Sequence, residues 1–114
     1  MEVFFNQNLN TKIMYKHIVF WKLKELADGK SRAQLAIEVK RRLDELPAAI
    51  PEILSFETGI NLGDYGASFF DLSVVAVFEN KDTFWNYTKY SIHDVVVAYI
   101  QSVQEAEEIV DYEL

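Results

Sequence analysis

The sequence predicts one α+β domain with the element order βαββαβ. Three observations point to it. Residues 16–24 and 70–79 alternate apolar side chains as strands do, and a capped apolar stripe runs from Ser31 to Leu46 at helical spacing. The chain, at 114 residues, supplies enough material for one core and too little for two.

Residues 1–13 hold Asn6, Gln7, Asn8 and Asn10 and keep no lasting period. They read as an N-terminal extension, either a candidate disordered tail or an arm docking Val3, Phe4 and Phe5, ahead of a domain over 14–114. In the first strand His17, Val19, Trp21 and Leu23 share one face, and Ile18, Phe20 and Lys22 the other. Asp28-Gly29-Lys30 breaks this pattern. Ser31 and Gln34 then stand at capping-box spacing, followed by Leu35, Val39, Leu43 and Leu46 on one helical stripe that Pro47 is expected to stop.

A second strand is expected over 53–62, with Phe56, Thr58 and Ile60 on one face, and Gly63, Asp64 and Gly66 supply the turn chemistry after it. The third strand sets Leu72, Val74, Ala76 and Phe78 against Ser73, Val75 and Val77. A short helix capped by Asn80 or Asp82 follows, with Phe84 and Tyr87 on one side. Val96, Tyr99, Ile100 and Val103 form a second long helical stripe over 94–103, and residues 109–114 alternate as a closing strand.

Two right-handed crossovers in this order give the ferredoxin-like arrangement, a four-stranded antiparallel sheet with both long helices on one side. The other face of the sheet keeps Ile18, Phe20, Val75 and Val77. An apolar face of that size needs a cover. The expected partner is therefore a second copy, forming a homodimer through the open sheet face.

The chain has no cysteine, which removes disulfides, thiolate metal clusters and cysteine nucleophiles from consideration. No apolar run approaches the roughly 20 residues of a membrane span, and the start lacks signal-peptide character, so no membrane partner and a cytoplasmic location are expected. A net charge of -7 opposes a phosphate backbone, and nucleic acid is not expected either. Lys40, Arg41 and Arg42 read as a solvated helix face beside Asp44 and Glu45. Glu105, Glu107 and Glu108 read as another solvated surface.

Several segments in register support a family resemblance: Met14 to Lys24 (MYKHIVFWKLK), Leu46-Pro47, Ile50-Pro51-Glu52-Ile53, Glu57 to Asn61, the strand over 70–78, and Val110 to Leu114 (VDYEL). Together they resemble the stress-responsive A/B barrel (Dabb) domain over residues 14–114. The resemblance implies a dimeric α/β barrel of two ferredoxin-like chains, with a pocket between each sheet and its helices. Most relatives are known through stress response or by fold alone, while a plant polyketide cyclase of the family performs an intramolecular aldol condensation without metal or organic cofactor.

The two histidines, His17 and His93, are the side chains suited to proton transfer near neutrality. By resemblance to the cyclase, His93 would be the base, Tyr87 the hydrogen-bond donor to a carbonyl or enolate oxygen, and His17 the first-strand histidine of the site. The expected pocket wall comprises Val19, Trp21, Leu43, Leu72, Val74 and Phe84. The family's frequent His-Pro-x-His segment is Tyr90-Ser91-Ile92-His93 here, and the cyclase's polar pocket positions align with Leu43 and Leu72. Taken alone, His93 also reads as a loop histidine bonded to backbone, His17 as a satisfied strand residue and Tyr87 as a core aromatic. No metal or cofactor is expected. The leading expectation is a homodimer that binds a small apolar or carbonyl-containing molecule. Its alternatives are a cofactor-independent cyclase-like lyase and a purely structural oligomer.

Overall fold

The first strand, β1 (Tyr15–Leu23), buries Tyr15, Val19, Trp21 and Leu23 and leaves the residues between them half-buried, as its alternation predicts. The computed structural model describes residues 13–114, and the expected extension lies, through residue 12, outside the described residues. After β1 the chain makes a tight hairpin of β2 (Leu26–Ala27) and β3 (Lys30–Ser31). Asp28 and Gly29 both take positive φ, 52° and 67°, at its turn. An Asp-Gly pair suits a turn with two left-handed residues, so the break in pattern is a small hairpin rather than a plain loop.

Helix α1 (Arg32–Leu43) starts as the sequence predicts. The Gln34 N–H donates to Ser31 Oγ, and the Ser31 N–H donates back to Gln34 Oε1 at 2.9 Å. Leu35, Ala36, Val39 and Leu43 are its buried stripe. On the other side Arg41 and Arg42 both pair with Glu38, and Lys40 pairs with Asp44, so the basic trio is neutralised locally. Pro47 does not stop this helix. α1 ends at Leu43, and Pro47 sits in the first turn of a short second helix, α2 (Leu46–Ala49), where a missing N–H costs nothing.

Strands β4 (Ile53–Ile60) and β5 (Leu72–Phe78) follow, then α3 (Lys81–Tyr87), α4 (Ser91–Val103) and β6 (Gln104–Glu113). Asn80 caps α3 through Thr83. The helix α4 begins at Ser91 rather than 94, which brings His93 from an expected loop into the first helical turn. Val95, Val96 and Val97 lie inside it, because the burial of Val96, Ile100 and Val103 on one stripe outweighs their strand propensity. The closing strand starts directly at Gln104, ahead of the expected residue 109.

The sheet order is β4-β5-β1-β6, antiparallel throughout, which is the predicted ferredoxin-like topology with α3 and the short α2 added to the two crossover helices. One sheet face joins the helices in a core of Val19, Trp21, Leu23, Leu72, Val74, Ala76 and Phe78 against Leu35, Val39, Phe84, Val96 and Ile100. The opposite face carries Ile18, Phe20, Val75 and Val77, half-buried, with Val110 and Tyr112 at 49% and 39% exposure. Among the described residues no helix is long and apolar enough to cross a membrane.

Candidate functional site

A cavity of about 220 Å³ opens between the β1–β6 edge of the sheet and helices α3 and α4. β1 contributes His17, Val19 and Trp21, α3 and its exit contribute Phe84 and Thr88, and α4 contributes His93, Val97, Ile100 and Gln101. Gln104, Glu107 and Ile109 of β6 complete the wall. The wall is mainly apolar with a few polar groups converging on it, the usual chemistry of a small-molecule site.

The strand register sets His17. It lies directly opposite Asp111 across the β1–β6 ladder, and the imidazole Nδ1 meets the Asp111 carboxylate at 2.5 Å. That contact engages one ring nitrogen and leaves Nε2 for the cavity. The same carboxylate lies near the Tyr15 hydroxyl, whose pKa rises through burial first and Asp111 second. Phe84 holds the His17 ring from the helical side, with centroids 4.8 Å apart.

His93 enters from the start of α4. Its Nδ1 is buried and makes no hydrogen bond among the described residues, with the Asp94 carboxylate at 3.7 Å, beyond bonding range. Burial pushes its pKa below the ordinary histidine value, against the opposing pull of Asp94 and the Thr88 backbone, and the nearby His17 adds to the lowering. Gln104 Oε1 is likewise buried without a partner. Both of these orphaned atoms belong to residues on the cavity wall.

Tyr87 is placed differently from the sequence expectation. Its ring packs edge-to-face on His93 and against Phe78, with centroids 4.6 and 4.9 Å away, and burial pushes its hydroxyl pKa up to about 12. It does not line the cavity. Leu43, Leu72 and Val74 do not line it either. β5, which carries Leu72 and Val74, flanks β1 on the side away from β6, and Leu43 points into the core from α1. Of the nine expected residues, the cavity therefore brings together His17, Val19, Trp21, Phe84 and His93.

Sequence reasoning missed the β6 wall and most of the α4 wall. Glu107 lines the cavity rather than belonging to a solvated acidic surface. Running the alternation of the closing strand back two residues from Ile109 would have placed it on the same face. Among the described residues no three His, Cys, Asp or Glu side chains are grouped as metal ligands.

A sequence model described as "Stress responsive A/B Barrel Domain" matches residues 15–114. The chain belongs to the stress-responsive A/B barrel domain family. Solved structures carry the same fold. A dimeric protein of unknown function and ferredoxin-like fold from Bacteroides fragilis is 26% identical, covers 89% of this chain and 96% of its own length, and has a TM-score of 0.76. A dimeric ferredoxin-like protein of unknown function from Thermobifida fusca is 27% identical, covering 96% of this chain and all of its own, also at a TM-score of 0.76. The hydroxynitrile lyase from Passiflora edulis shares 19% identity over 89% of this chain and 93% of its own, at a TM-score of 0.74, a likeness of fold alone. No curated protein matches the chain.

Proposed function

We propose that this family member is a homodimeric small-molecule-binding protein whose cavity beside His17 and His93 receives a small, mainly apolar molecule bearing a carbonyl or similar polar group. One observation carries the ligand reading: a cavity of about 220 Å³ between sheet and helices has a mainly apolar wall on which both histidines of the chain, His17 and His93, converge with Gln104 and Glu107. An apolar cavity of about 150 Å³ takes up benzene. The present one, at about 220 Å³, has room for a single ring and a polar head group.

The second copy would cover the apolar sheet face of Ile18, Phe20, Val75, Val77 and Val110. The Bacteroides and Thermobifida proteins, both dimeric and ferredoxin-like, support a two-copy assembly. Leaving such a face wet is unfavourable by about 25 cal/mol per Å² of apolar surface.

Acid–base catalysis in the same cavity is the second reading, with His93 as base in a cofactor-independent lyase or cyclase. Its favouring observation is the lowered pKa of His93, which keeps the imidazole neutral and able to accept a proton. Tyr87 as the hydrogen-bond donor fits less well, because it lies behind His93 rather than on the wall.

Calorimetric titration with a set of single-ring aldehydes and ketones tests the binding reading, with the cavity-filling Val97→Phe chain as control. Saturable binding to the native chain and none to Val97→Phe is the expected result. Absence of binding by every compound, or equal binding to both chains, overturns it. Turnover of a bound compound that disappears in His93→Ala would move the assignment to the lyase reading.

A further inference from the structure

The head-group chemistry of the ligand follows from a charged residue that the β6 edge adds to the wall. Glu107 lines the cavity beside Trp21, its cross-strand neighbour, and has no ion-pair partner among the described residues. The other titratable wall residues are His17 and His93. His17 is already engaged by Asp111, and His93 lies 3.7 Å from the Asp94 carboxylate. Among the described residues no lysine or arginine reaches the wall. The cavity thus has one uncompensated carboxylate and no fixed positive charge to receive an anion.

We propose that Glu107 makes this cavity selective for single-ring ligands whose head group carries no negative charge, an ammonium best of all, and closes it to carboxylates. The proposal rests on the reading of the cavity as a binding site and names the ligand class it takes. A unit charge a few ångströms from a carboxylate, at an effective dielectric constant of about 20, changes affinity by more than one tenfold step. The size limit follows from the cavity volume of about 220 Å³.

Benzylamine, benzyl alcohol and benzoate share a ring and differ in head group, and their binding to the full chain near neutral pH can be compared by calorimetry. The expected order is amine, alcohol, benzoate, with the amine at least about tenfold tighter than benzoate. Glu107→Gln should weaken the amine about tenfold and leave the alcohol within about twofold, while Glu107→Lys should shift the preference toward benzoate. Benzoate binding as tightly as benzylamine, or an amine affinity indifferent to Glu107→Gln, overturns the selectivity while leaving the cavity as a binding site. Failure of all three compounds on both the native and the Glu107→Lys chains overturns the site itself, and the selectivity with it.

Discussion

The rings of Tyr87 and His93 meet at 66° with centroids 4.6 Å apart, yet His93 alone of the two reaches the cavity wall. The tyrosine acts on the site through packing, as a buried support for the imidazole. Tyr87→Phe keeps the ring and should leave ligand affinity within about twofold, whereas Tyr87→Ala opens a core void and should cost about 3–5 kcal/mol of stability. Calorimetry on the first variant and chemical denaturation of the second check this. Loss of binding in Tyr87→Phe would show that the hydroxyl itself is used.

Burial of His93 has a consequence for stability against pH. Its folded pKa lies below the unfolded value, so the unfolded chain binds the proton more readily. The stability that a neutral His93 contributes is therefore intact above the unfolded pKa of about 6.5 and declines as pH falls through that value toward the folded one. The melting temperature of the native chain should drop more steeply between about pH 7.5 and pH 5.5 than that of His93→Gln. Parallel curves would contradict the placement of His93. The strongly lowered Glu38, with a pKa of about 2 caused by Arg41 and Arg42, acts in a more acidic window.

The helix starts offer a test of local chemistry. Ser31 and Asn80 each close a capping box, on α1 and α3. Ser31→Ala and Asn80→Ala should each destabilise the chain by about 1 kcal/mol, read from urea midpoints with an unchanged slope.

The open sheet face offers a test of assembly. Val75 stands on it between Ile18 of β1 and Glu57 of β4. The native chain should sediment as two copies of 13.2 kDa, and Val75→Glu as one. A native monomer at micromolar concentration would leave this face without its proposed cover.

Much of the fold was legible in the sequence because the physical signals were local. The alternation of β1, the Ser31–Gln34 box and the β5 pattern each specify an element within a few residues. The errors arose where tertiary context decides. QEAEE at the start of β6 shows no apolar alternation, since a strand at the sheet edge is held by pairing with β1 rather than by burial of both faces. Pro47 was compatible with either a stop or a start. The site divided in the same way: His17, Trp21 and His93 were visible as residue types, but Leu43, Leu72 and Val74 could be separated from the wall only once β5 and β6 were known to flank β1 on opposite sides. Glu107 was hidden by its acidic neighbours.

The chain has two histidines in all, and both line the cavity. Proton NMR should therefore show two imidazole Cε1–H resonances, each reporting from the site. Titration of a binding single-ring compound should move both resonances along one saturable curve. A compound that binds by calorimetry while leaving both resonances in place would put its site elsewhere and contradict the assignment of this cavity.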